Sequence, residues 1–351
     1  MIYTDKNYKN YEMISKHFRC SIWGEIHVSP VALQIIDSWE FQRLHYIRQT
    51  GFSYKVFPSS TTSRFEHSLG VYHVTRKIID HVQTNIPESL KISDWKKELI
   101  CIVGLVHDLG HGAFSHLFDT LLENCRTTMI PKKHEDRSCI IFRRIVKKYS
   151  IGLSGDDVQW VCERILNPPN EMWYDTLVCN PYSSFDTDKV DYLIRDARHF
   201  GIVSSFDIHR ILENIRIIDG QLCFCDKVFL DVKKMFTMRD EMHRSIYRHP
   251  TTQKFDNFLL SKLRRHDFSQ LSLDSFLELY DSRLLEMLHP DERIEMETRT
   301  WTQFSDVPDS NVYFDNQTQM AMKNMKWFQR KNPSVSFFMD QSTSDVGGNC
   351  V

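Results

Sequence analysis

WKKELICIVGLVHDLGHGAFSH, residues Trp95 to His116, runs from an apolar helix into a segment that packs three histidines, an aspartate and two glycines into its last ten residues. The stretch from Leu99 to Val106 is apolar on almost every side, which implies a deeply buried helix. Asp94 can cap its start. His107-Asp108 follow directly at its end, and Gly110 and Gly112 break the helix around His111. An ionised carboxylate buried beside imidazoles is costly unless something compensates, and a divalent cation does so by taking both as ligands. The apolar helix then reads as a rigid mount, its terminus aiming ligands into a cleft while the glycines turn His116 back toward His111.

Helical periodicity extends in both directions. SRFEHSLGVYHVTRKIIDHV opens with Ser63 and Glu66 in capping-box spacing. It places His67, Val71, Val74, Ile78 and Val82 on one stripe, so His67 lies on a buried face. A lone histidine there is by default a core residue satisfied by a carbonyl, and the nearby His-Asp pair changes that reading. From Pro30 to Ile47, apolar positions at Leu33, Ile36, Phe41 and Leu44 predict a single helix. Further helices are expected at about 134–149, 157–166, 186–200, 207–215, 231–248, 253–264 and 273–288. Ile215 to Ile218 and Leu222 to Phe224 flank Asp219-Gly220, a two-residue hairpin turn. The fold class is therefore mainly α with a small β-hairpin. Residues 1–29 form an N-terminal segment, 30–300 the main body, 301–340 a C-terminal packing segment and 341–351 a disordered tail.

Composition excludes several classes. A net charge of −2 over 351 residues gives no electrostatic reason for a nucleic-acid coat or a membrane surface. RRIVKK at 143–148 is short enough to be a solvated helix face, so nucleic acid is not favoured. Nine scattered cysteines with no CxxC pair suit reduced thiols, and Cys223 and Cys225 fit one face of a strand. No segment has the length of a membrane span or the apolar core of a signal peptide, so an intracellular, soluble chain is expected.

In DTDKVDYLIRDARHF, Asp188, Tyr192, Arg195, Asp196 and His199 share a helix face. Alone this would be an exposed salt-bridged surface. Together with His67 and His107-Asp108, however, it resembles the H…HD…D metal site of the HD-domain phosphohydrolase superfamily. RFEHSLG, HDLGHGAFSH, His134-Glu135, DTDKVDYLIRD, FQRLHYIRQTG and MRDEMHRSIYRH resemble the sterile-alpha-motif/HD-domain type of dNTP triphosphohydrolase, from about Lys16 to Pro250 and without the sterile-alpha-motif domain.

That resemblance implies a helical HD fold and one divalent metal ion (Mn, Fe or Mg) on His67, His107, Asp108 and Asp188. It implies hydrolysis of deoxynucleoside triphosphates to deoxynucleoside and inorganic triphosphate. His111, His116 and His134 would be catalytic, with His116 the general acid and Asp119 and Glu135 orienting the imidazoles. Arg64, Lys189 and Arg239 would hold phosphates, and Gln49, Tyr192 and Asp196 the sugar. Tyr247 would fill the space of a ribose 2′-hydroxyl, and His243 shares a helix face with Arg239 and Tyr247.

Regulated members bind GTP or a dNTP activator between subunits. Lys16, Asp37 and Gln42 match parts of that site, but His45 stands where the regulated branch has arginine, which weakens a guanine-nucleotide grip. A homo-oligomer, dimer or higher, is implied. Two alternatives stay open: another HD-type phosphohydrolase (nucleotidase, phosphodiesterase or nuclease), and a non-catalytic binder of nucleotides or single-stranded nucleic acid.

Overall fold

The computed structural model describes residues 16–301 and 321–338, so the proposed tail and parts of the two end segments lie outside the described residues. Residues Lys16–Cys20 (β1) and Gly24–Val28 (β2) pair as an antiparallel hairpin, so the N-terminal segment carries strands that its sequence did not announce. The single helix expected after Pro30 is broken into α1 (Pro30–Ile36) and α2 (Trp39–Gln42), followed by a 3-10 turn at Arg43–Tyr46. The break has a local cause. The Ser38 hydroxyl accepts the Phe41 N–H and starts a new helix, as serine does wherever it can replace a backbone acceptor.

The long helix α3 (Arg64–Gln83) is buried on nearly every side and packs against α4 (Asp94–Val106). Ser63 accepts the Glu66 N–H at its start. Ser93, not Asp94, caps α4 by accepting the Lys96 N–H, and Asp94 sits inside the first turn. Four more helices complete this half: α5 (His116–Glu123), α6 (His134–Lys148), α7 (Gly155–Leu166) and α8 (Thr187–Phe200). The basic cluster on α6 is largely spent internally. Arg144 and Lys148 donate to the buried Glu40 carboxylate at 3.1 and 2.9 Å, and Arg143 donates to Gln159.

After α9 (Ile208–Glu213), the strands β3 (Ile215–Ile218) and β4 (Gln221–Cys225) meet through Asp219 and Gly220, both at positive φ as the tight turn requires. The hairpin is half of a larger sheet. β5 (Lys326–Gln329) joins β4 in parallel and β6 (Asn332–Phe338) closes the order β3-β4-β5-β6. Trp327 on β5 is buried against the core beside Phe224 of β4, and Cys223 and Cys225, on the other face of β4, form a separate small buried cluster with Ile218 of β3 and Phe328 of β5. The eight described cysteines are free.

The helix expected over 231–248 is α10 (Phe229–Met242) running into a wider π turn at His243–Tyr247. α11 (Pro250–Leu263) starts at its proline. The helix expected over 273–288 divides into α12 (Leu273–Glu278) and α13 (Asp281–Leu285), with extended backbone at Tyr280 between them. α14 (Pro290–Thr298) follows. No helix among the described residues is long and apolar enough to cross a membrane.

Candidate metal centre

His107 caps α4, and its Nδ1–H donates to the Gly104 carbonyl at 2.8 Å. His67, in the first turn of α3, has its Nδ1 on Asp191 Oδ2 at 2.9 Å. Fixing Nδ1 in this way turns the Nε2 lone pair of each ring outward. Both Nε2 atoms are buried and make no hydrogen bond. They face two carboxylates. His67 Nε2 is 3.4 Å from Asp108 Oδ2 and 3.1 Å from Asp188 Oδ1, while His107 Nε2 is 3.4 Å from Asp108 Oδ1 and 3.6 Å from Asp188 Oδ1.

Burial works against a charged His67, yet the carboxylates of Asp188, Asp191 and Asp108 outweigh it and carry the imidazole up to about 10. A pocket that draws positive charge so strongly fits a dication, and His67, His107 and Asp108 form a cluster able to hold one.

The loop after α4 is held by long-range partners. Ser138 donates to the His107 carbonyl and accepts the Gly110 N–H, Arg137 donates to the Gly110 carbonyl, and both terminal nitrogens of Arg43 donate to the His111 carbonyl. The turn that brings His116 back is not made by glycines, contrary to expectation. Phe114 and Ser115 take positive φ of 56° and 59°, held because Asp281 accepts the Phe114 N–H at 2.7 Å and Ser115 donates to the Arg48 carbonyl. Gly112 serves close approach instead, since a Cβ there would lie 2.4 Å from the Phe118 ring.

The three loop histidines gather. His111 stacks on His134 with centroids 3.9 Å apart, and His116 stands edge-on to them at 4.9 and 5.4 Å. Asp119 Oδ2 takes His134 Nδ1 at 2.7 Å and lies 3.7 Å from His116 Nδ1, while Arg137 binds its other oxygen. Burial opposes ionisation of Asp119, but the facing imidazoles of His116 and His134 hold it far below the usual carboxylate range. Glu135 lies 3.6 Å from His134. Burial, then the charges of Arg64 and His134, push His111 well below the usual imidazole value.

A cavity of about 390 Å³ joins these groups. Its lining includes Asp108, Asp188, His111, His116 and His134, together with Gln49, Arg64, Lys189, Tyr192, Asp196, Arg239, His243 and Tyr247. Arg64 binds Asp108 and Ser115, and Lys189 donates to Asp186 at 2.7 Å. Tyr247 donates to Asp196 Oδ2 at 2.8 Å. Burial lifts the Asp196 carboxyl to about 6, and burial with the Arg239 charge lowers His243 to about 4. Five buried atoms of the lining, Gln49 Oε1, His111 Nδ1, Asp196 Oδ1, Arg239 Nε and Thr252 Oγ1, have no hydrogen-bond partner.

The four residues matched to a regulatory site lie outside this lining. Lys16 stands 4.0 Å from Asp37, Gln42 donates to the Ile36 carbonyl at 2.8 Å, and His45 stacks on Phe65 at 3.6 Å.

Several residues here escaped sequence reasoning. Asp191 is fully buried, holding His67, the Trp23 indole N–H and the Arg195 guanidinium together. Only its spacing to Arg195, one helical turn on, hinted at the pairing. Arg43, Arg137 and Asp281 act through carbonyls and N–H groups far away in sequence, and nothing local signals them.

Asp256 also lines the cavity, and burial alone lifts its carboxyl to about 7. The unfolded value is about 4, so the folded state binds the extra proton between these values and its stability falls as pH rises through that window. Asp256→Asn removes this loss. In melts of both chains at pH 5 and pH 8, the variant is expected to gain on wild type at pH 8; an unchanged difference sinks the assignment.

The model of the HD domain matches residues 64–184, a span that contains His67, His107 and Asp108. The chain carries an HD domain. Asp188 lies just beyond the matched span of the HD domain, on α8. An HD domain-containing protein of Acanthamoeba polyphaga mimivirus is 34% identical over 300 residues, covering 78% of this chain and 64% of its own length. The deoxynucleoside triphosphate triphosphohydrolase SAMHD1 homolog of Dictyostelium discoideum is 29% identical, covering 89% of this chain and 62% of its own. Deoxynucleoside triphosphate triphosphohydrolase SAMHD1 of Homo sapiens is 30% identical, covering 76% and 50%. The HD-domain chain thus spans between half and just under two thirds of the length of these curated relatives.

Proposed function

We propose that this chain hydrolyses deoxynucleoside triphosphates with the help of a divalent metal ion, releasing the deoxynucleoside and intact inorganic triphosphate. The reading is carried by the buried, unpartnered Nε2 atoms of His67 and His107, which face two carboxylates beside a polar cavity. The unpartnered atoms of Gln49, Asp196 and Arg239 favour a ligand with hydroxyl groups and anionic oxygens, and the names of the relatives favour a dNTP.

His67, His107, Asp108 and Asp188 would hold the ion. Two imidazoles and two carboxylates suit manganese, iron or magnesium, with room for water and a phosphate oxygen. When bound, the ion supplies charge neutralisation at the α-phosphate and a water of lowered pKa.

The chain's own residues do the rest. Arg64, Lys189 and Arg239 receive the phosphates. Arg64 and Lys189 already sit on Asp108 and Asp186, so each exchanges one anionic partner for another and is never stripped bare. His116 delivers the proton to the departing 5′ oxygen. His111, held neutral and stacked flat on His134, is not an imidazolium near neutral pH. The His116 side chain is 73% exposed at the cavity, while Asp119 fixes the tautomer of His134 beside it.

Gln49, Tyr192, Asp196 and Tyr247 bound the sugar end, and His243 borders the same face. The Tyr247 ring, braced by its hydrogen bond to Asp196, would occupy the space a ribose 2′-hydroxyl requires. Tyr247→Ala is expected to lower the kcat/KM preference for dATP over ATP by about tenfold or more, whereas Tyr247→Phe retains it. Equal preference in both variants removes the steric role.

The deciding experiment incubates the purified chain with manganese and each dNTP, with and without GTP, and separates the products by ion exchange. Intact triphosphate is expected. Orthophosphate or pyrophosphate in its place defeats the proposal.

A further inference from the structure

The β1–β2 hairpin carries a second set of donors on its solvent side. Its inner side is apolar, with Ile26, Val28 and Trp23 buried. His17, Glu25 and His27 are all exposed. His17 and His27 are register partners across the strands, and Glu25, two residues before His27, shares their face. His27 Nδ1 and His17 Nε2 are 3.1 Å apart, with ring centroids 4.0 Å apart. Glu25 Oε2 lies 4.0 Å from His17 Nδ1. One donor atom from each residue lies within 4.8 Å of the other two.

The geometry points to a surface site for a zinc-class divalent cation on His17, Glu25 and His27, separate from the HD centre. Zinc–imidazole bonds of about 2.0–2.1 Å in a tetrahedral shell place neighbouring donors about 3.3 Å apart, close to the spacing the two rings already have. The Glu25 donor lies within 4.8 Å of both imidazole donors and has to close by up to about 1.5 Å to reach tetrahedral spacing, which its exposed side chain can do by rotation. Two imidazoles and one carboxylate select zinc, cobalt, nickel or copper over magnesium and calcium, and leave a fourth position to water.

A hydrogen bond between the two rings would account for their contact but not for the carboxylate beside them. Arg19 is the strand partner of Glu25 and competes for it, but an exposed ion pair is a weak rival to coordination. The strand ladder holds both histidines in register before any ion arrives, so little ordering is left to be lost on binding.

The test strips the full chain with a chelator and titrates it with zinc against a chromophoric chelator, then with cobalt followed by absorption. The HD centre takes up these ions as well, so the readout is the difference between variants. Wild type is expected to bind one equivalent more than His17→Ala, His27→Ala or the double variant. Glu25→Gln weakens that equivalent by about tenfold or more. His209→Ala, which removes an exposed histidine elsewhere, keeps wild-type stoichiometry. Melting in chelator establishes that each variant is folded. Equal stoichiometry in wild type and the double variant, the same loss in His209→Ala (adventitious imidazole binding only), or unchanged affinity in Glu25→Gln overturns the site.

Discussion

Replacing Asp188 with alanine is expected to abolish metal retention by the HD centre and to lower dNTP turnover by more than about 10²-fold, while the chain stays folded. The rate estimate follows from a bound: losing an outer partner of a ligand costs about 10–100-fold, and losing a ligand costs more. Folding survives because the Asp188 side chain is 32% exposed and His67 keeps its bond to Asp191. His107→Ala is expected to give the same loss of metal. Its side chain is only 12% exposed, so it also leaves a cavity and lowers stability in chelator. The clean measurement is therefore the rise in melting temperature on adding manganese, about 2.7 kcal/mol of stabilisation at one hundred times the dissociation constant in wild type. Asp188→Ala should show none of that rise. A variant that still melts higher with manganese, or still turns over dNTP at the wild-type rate, removes Asp188 from the centre.

Asp188 enters only through the family resemblance, and what else of the fold and the proposed centre is legible in the sequence is a matter of range. α3 and α4 are legible because an apolar period and a cap are local properties, and His67, His107 and Asp108 ride on them. The Asp219-Gly220 turn is legible for the same reason. The break at Ser38 comes from a local cap that the continuing apolar period masks, and the break at Tyr280 depends on where the helix must turn to pack. Asp281 is needed at the N–H groups of Arg48 and Phe114, 233 and 167 residues away, and the interruption before it turns its carboxylate inward. β5 likewise pairs with β4 across about a hundred residues, which no local pattern encodes. Left-handed backbone favours glycine, so the local pattern points to Gly110 and Gly112 for the His116 turn. Phe114 and Ser115 adopt that backbone instead, under tertiary restraint.

Asp191 shows the same limit at the centre itself, and Asp191→Ala is the second large effect. The carboxylate is wholly buried; it takes His67 Nδ1 at 2.9 Å, two nitrogens of Arg195 at 2.9 Å each, and the indole N–H of Trp23. Gly70 leaves room for this cradle, since a Cβ there would lie 1.9 Å from Asp191 Oδ1. Removing the carboxylate strands the Arg195 guanidinium, itself fully buried, and breaking a buried pair in this way costs about 3–5 kcal/mol. It also releases the His67 ring, so its proton is free to settle on Nε2, where a metal needs the lone pair. Metal affinity is expected to fall by about 10–100-fold. Instability alone would imitate part of this result, and Trp23→Phe separates the two. It deletes one donor to Asp191 while leaving the Arg195 pair intact, so its melt in chelator stays near wild type while manganese affinity drops by a smaller factor. If Asp191→Ala binds manganese as wild type does once folded, or if Trp23→Phe changes only the melt, the carboxylate is a structural tie and does not orient His67.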